Sequence, residues 1–173
     1  MALIRLNNQS LTNVTSAGLP SGTVLQVVQA DLDTFYSNNS NIPLDDTKPQ
    51  ITEGGEILTC SITPTSATSK LLIDVVINVT NSDASYINAI ALFQDSNSDA
   101  LRSAWSRNVV ANNPVSPMVI KHFMTAGTTS STTFSVRGGT VGGSAVFQVN
   151  GGSGTRYLGG ALISSITVTE IAG

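Results

Sequence analysis

Residues 55–79, GEILTCSITPTSATSKLLIDVVINV, decide the fold class. In the first part Leu58, Cys60 and Ile62 fall on one side of an alternation whose other side is Thr59 and Ser61. After a corner of proline, threonine and serine, Leu71, Ile73, Val75, Ile77 and Val79 share one side, while Asp74 and Asn78 point away. Successive side chains leave a strand on opposite faces, so a period of two in β-branched residues specifies a half-buried strand. Pro64 has no N–H to give to a ladder and marks the end of the first strand. The spacing predicts two strands, expected to pair as the central strands of one sheet.

Working outward, further strand candidates lie at 24–29, 86–94, 115–124, 132–136, 145–149 and 161–171, and the stretch 101–110 holds the only tryptophan, Trp105. In 86–94, Ile90 and Leu92 oppose Phe93; in 115–124, Met118, Ile120, His122 and Met124 oppose Val119, Lys121 and Phe123. The run 137–144, RGGTVGGS, reads as loop, and 151–154 as a tight turn. No stretch carries a helical period, which argues against a doubly wound α/β fold. Short strands separated by turn signals predict an all-β chain, an antiparallel β-sandwich or jelly roll.

Two segments stand apart from the strands. Residues 1–23 are neither helical nor alternating, yet they carry Leu3, Leu6, Leu11, Val14 and Leu19 among amides and hydroxyls. Such an arm has no core of its own and is expected to dock on something else, leaving 24–173 as the β-sandwich domain. Residues 30–54 form a long irregular connection with Asp31, Asp33, Pro43, Asp45, Asp46 and Pro49, a length that usually makes contacts. The last strand has apolar residues on both faces, Ile163 and Ile171 against Leu162, Ile166 and Val168. Cover on both sides implies another chain, and a homotrimer is the expected assembly.

Composition narrows the function classes. Only 11% of the 173 residues are charged, against about 25% in an ordinary soluble domain. The net charge is −3 and the eight bases form no run, so no nucleic-acid partner is expected. No apolar run approaches the ~18 residues of a membrane span, and the N-terminus lacks the apolar segment of a secretion signal. Synthesis in a cytoplasm without membrane insertion is the expectation. Cys60 is the sole cysteine and His122 the sole histidine. A zinc site, a nucleophile–base pair or a Gly-x-Ser-x-Gly elbow has no residues to build it, so no catalytic residue, cofactor or metal is expected. Asp95, Asn97 and Asp99 mimic the start of a calcium loop, but Ala100 stands where glycine is needed and Ser106 where glutamate is needed. They read as a turn. The remaining candidates for recognition are Trp105 with Arg102 and Arg107, residue types enriched at binding hot spots. A tryptophan partly buried in its own core is the competing reading.

Three stretches resemble a known family. Residues 6–29 (LNNQSLTNVTSAGLPSGTVLQVVQ), 61–73 (SITPTSATSKLLI) and 164–172 (SSITVTEIA) are similar to segments of structural proteins of tailed phages, those of marine cyanobacterial phages in particular. The resemblance implies a C-terminal β-rich head following a shaft or anchor. It implies a non-enzymatic virion structural protein, displayed on the particle surface as a capsid decoration or a short fibre or spike component and held by its N-terminal arm. The partners would be copies of itself and other virion proteins of capsid or tail. The alternative is a tail-fibre tip or lectin-like module that binds a host glycan.

Overall fold

The alternating stretches become the strands of two sheets packed face to face. The computed structural model describes residues 18–83, 86–107 and 114–173. In chain order the strands are β1 (Val24–Leu32), β2 (Tyr36–Asn38), β3 (Gly55–Ile62), β4 (Lys70–Asn81), β5 (Ile87–Gln94), β6 (Arg102–Arg107), β7 (Ser116–Thr125), β8 (Thr132–Thr140), β9 (Phe147–Val149), β10 (Gly151–Gly152), β11 (Thr155–Arg156) and β12 (Ser164–Ile171). One sheet runs β1-β12-β4-β7, with short β9 paired to the end of β4 past β12 and β2 paired to β9. The other runs β3-β8-β5-β6. Every pairing in them is antiparallel. Each sheet draws strands from both halves of the chain, and this order is a jelly roll.

The deciding stretch supplies strands to both sheets. All five residues of the β4 apolar row, Leu71 to Val79, are fully buried. β3 and β4 are not neighbours, however: β4 lies inside the first sheet and β3 is an edge of the second. The corner after Pro64 carries the chain from one sheet to the other. Alternation says which face is buried but not which strand lies alongside, because register and pairing are set by partners elsewhere in the chain. In β3 the register shifts between Glu56 and Leu58. A bulge of this kind lets Ile57 and Leu58 both reach the core.

The run 137–144 also departs from expectation. Residues through Thr140 belong to β8, and only the glycines beyond it turn the chain. A Cβ on Gly138 would lie 2.6 Å from Phe147 Cζ, and one on Gly139 would lie 2.4 Å from the carbonyl oxygen of Ser40. These glycines are selected for close approach on the two faces of a strand. Composition alone cannot tell that use from a turn.

Polar groups tie the sandwich together where the apolar core ends. Glu170, at the inner end of β12, is fully buried. Its Oε2 accepts from Gln26 Nε2 at 2.6 Å, and its Oε1 accepts from the backbone and hydroxyl of Thr65 at 2.8 Å each. Burial pushes its pKa up, but the hydrogen bonds from Gln26 and Thr65 outweigh this and hold the carboxyl below its ordinary value. Further along β12, Ser164 Oγ donates to Asn150 Oδ1 at 2.7 Å and accepts from the Asn78 backbone at 2.9 Å. Asn150 Nδ2 in turn donates to the carbonyl of Leu32 at 2.7 Å, which fixes the kink between β1 and β2.

The two outer faces differ. On the second sheet Ala89, Ala91 and Phe93 face outward and are buried beneath Ile42, with Ala100, Ile51 and Val141 packed around them. The connection between β2 and β3 thus forms a small second core. On the first sheet the register sets Val27, Thr169, Leu72 and Phe123 in one outward row, and Asp31, Ser165, Val76 and Val119 in another. Val27, Phe123 and Val119 are each more than half exposed. Between these rows the polar groups satisfy one another: Thr167 Oγ1 donates to Gln29 Oε1 at 3.0 Å, and Lys121 Nζ lies 3.0 Å from Asp74 Oδ1. The double apolar face expected for the last strand is therefore displaced. The outward residues within β12 before its final Ile171 are Ser165, Thr167 and Thr169, and the exposed apolar groups sit on the flanking β1 and β7.

Candidate recognition surface

β6 is an edge strand, and its alternation sorts the three residues picked for recognition. Arg102 and Ala104 share the inward side, and Ala104 packs on the main core. Ser103, Trp105 and Arg107 share the outward side. Arg102 does not join Trp105: its Nε donates to Nδ1 of His122 at 3.4 Å, across the open edge between β6 and β7. Burial and the Arg102 charge together hold the His122 pKa below its ordinary value. Trp105 is 59% exposed, so the reading that placed it in the core does not hold. Arg107 is exposed on the same face. Of the arm residues, Leu19 is partly buried, while Leu3, Leu6, Leu11 and Val14 lie outside the described residues.

The surroundings of Trp105 come from the long connection that the sequence marks as contact-making. Ile42, Pro43, Leu44, Pro49, Ala89 and Ser103 line a hollow against the indole. It continues, through shared Asp45, Thr47, Pro49 and Ser103, into a shallow cleft of ≈ 410 Å³ between residues 45–49 and 100–103. The trough has an apolar end at Trp105 and Leu44 and a polar flank at Asp45, Asp46, Thr47 and Lys48.

Its wall is held from several sides. Ile42 N donates to Thr140 O at 3.1 Å, Gly54 N to Asn41 O at 2.9 Å, and Ala100 N to Pro49 O at 2.9 Å. Arg137 donates from Nε to Glu53 O at 3.0 Å and from Nη2 to Gly54 O at 2.9 Å. Gln50 Nε2 donates to Asp99 Oδ1 at 3.1 Å, and Lys48 Nζ approaches Asp99 Oδ2 at 3.7 Å. The 95–99 stretch is thus a turn between β5 and β6 whose Asp99 anchors the wall, and Asp95 takes the positive φ the turn requires. Hydrogen bonds, from Gln50 foremost, hold the Asp99 carboxyl below its usual range. Asp45 is likewise lowered by the Thr47 hydroxyl and backbone, which donate to its Oδ1 at 2.6 and 2.8 Å.

The acids noted in the sequence do not converge. Asp31 lies in β1, paired with Ser165, while Asp45 and Asp46 line the trough beside the other sheet. Among the described residues no group of three His, Cys, Asp or Glu side chains is placed to hold a metal ion. Cys60 is buried, and burial pushes its thiol pKa up. The sequence singles out Trp105 by residue type but not the wall beside it, because the packing of 42–51 on Phe93 leaves no periodic signal.

No protein-family model matches the chain, and no curated protein matches it in sequence. It is similar in fold to the Eiger TNF from S. frugiperda, at 12% identity over 84% of this chain and 92% of that one, with a TM-score of 0.46. The C-terminal domain of EclA, a sugar-binding protein, is similar at 17% identity, 87% and 97% coverage and a TM-score of 0.40. The VP2 subviral particle protein of infectious bursal disease virus is similar at 14% identity and a TM-score of 0.38, over all of this chain and 42% of that one. At these values the likeness concerns the fold and says nothing of ligand or role. The jelly roll itself rests on the strand order above.

Proposed function

We propose that this chain is a non-catalytic structural protein of a phage virion, displayed on the particle surface as a capsid decoration or short fibre or spike component. The observation that supports it best is the contrast between the two outer faces. One sheet is sealed by the chain's own connection, while the other offers a face on which Val27, Val119 and Phe123 stand exposed to either side of a Lys121–Asp74 ion pair. Such a face suits contact with further copies of the head, and a homotrimer is the assembly we assign to it. The segment that precedes β1 enters beside this sheet, where Gly22 N donates to Ala172 O at 2.9 Å. Residues 1–23 are assigned the anchor. Threefold repetition of a weak anchor multiplies its effective concentration at the particle, so modest arm contacts suffice for lasting attachment. Neither Cys60 nor His122 has the setting of a nucleophile or base. A receptor-contacting tip is the second reading, favoured by the exposed indole of Trp105.

The test is attachment. Full-length protein and residues 24–173 are mixed with virions lacking this protein and sedimented. The full-length chain is expected to co-sediment, and the shortened one to remain folded and oligomeric in the supernatant. Equal co-sedimentation of both would overturn the role given to the arm.

A further inference from the structure

We infer that the Trp105 trough is a binding site for a neutral saccharide. The argument starts from an oddity. In a chain with one tryptophan, that residue stands on an edge strand with more than half its surface in water. Aromatic rings bury large apolar areas, and leaving one exposed forfeits that gain unless something covers it. Its register partner on the next strand is Ala89, too small to cover it. Leu44, across the hollow, is exposed as well. Together they form an apolar platform.

The polar flank identifies the occupant. Of the cations near the trough, Lys48 pairs with Asp99, and Arg102, turned toward neutral His122, is a single charge against the two carboxylates of Asp45 and Asp46. The carboxylates of Asp45 and Asp46 therefore set the sign of the surface, and an anionic ligand is disfavoured. Asp45 takes both Thr47 bonds on Oδ1, and we assign its Oδ2 to a ligand hydroxyl. Ser103, on the same side of β6 as Trp105, contributes a hydroxyl. A pyranose ring fits this pattern: one face is C–H-rich and stacks on an indole, and its rim of hydroxyls donates to carboxylate and exchanges bonds with serine. The wall is preorganised by the hydrogen bonds from Asn41 to Gly54, so little ordering is left for the ligand to impose. The inference does not depend on the virion reading, since saccharide binding and attachment to particles are measured separately.

The full-length chain is applied to a glycan array, and soluble neutral oligosaccharides that score are titrated against it. Trp105 is the sole tryptophan, so its emission reports from the site itself. Binding of neutral glycans with a change in that emission is expected. Isothermal titration should show a loss of at least about tenfold in Trp105→Ala, a smaller loss in Trp105→Phe, and a loss in Asp45→Asn at unchanged melting temperature. A blank array from folded protein, binding confined to acidic glycans, or affinity unchanged in Trp105→Ala would each overturn the assignment.

Discussion

Glu170 shows what a single residue can set in this protein. A carboxylate closed off from water is tolerable only because its two oxygens accept from Gln26 and Thr65. Removing it in Glu170→Ala strands those donors and is expected to cost about 2–4 kcal/mol, read from denaturant midpoints. The pH dependence has a definite sign. Its folded pKa is depressed, so the stabilisation is complete above the unfolded carboxylate value of about 4.3 and is lost as pH falls through the lower folded value. Thermal melts should therefore show an acid limb below about pH 4 that is shallower in Glu170→Gln. Gly138 makes the opposite kind of demand, for nothing at all. The Cβ of Gly138→Ala would press on Phe147 and Ile57, and a cost of about 1–3 kcal/mol is expected by the same measurement.

At the level of elements, legibility followed period. β4 could be read residue by residue because its whole inward row is apolar and its outward row is not. β8 could be read only as far as Val136, since its last residues are small for the sake of Phe147 and Ser40, which lie elsewhere in the sequence. The connection of residues 39–54 carries no period, and its role as the cover of Phe93 and the wall beside Trp105 depends on contacts with distant strands. Trp105 could be singled out by residue type, whereas the separation of Arg102 from it follows from strand parity and the position of β7. Arg137 is the bolt of this wall. Arg137→Ala should raise amide exchange across 42–54 while leaving β4 protected, at a stability cost of about 1–2 kcal/mol. Faster exchange spread evenly over both sheets would contradict that assignment.

For the whole molecule, the open face of β1-β12-β4-β7 is the feature that bears on assembly. If copies meet there, Phe123→Lys should convert a trimer to monomers in light scattering, with little change in monomer stability because the side chain already faces water. An unaltered mass would move the interface elsewhere. The pairing of β1 has a further consequence, one of timing. Among the described strands it pairs with β12 alone, which follows every other one of them in the chain. The other sheet, β3-β8-β5-β6, has all its strands before β12. The second sheet can therefore close early, while β1 stays unpaired until β12 arrives. The segment leading into β1, held by the bond from Gly22 N to Ala172 O, is thus fixed against its sheet only once β12 is in place, long after the opposite sheet has had the strands to close.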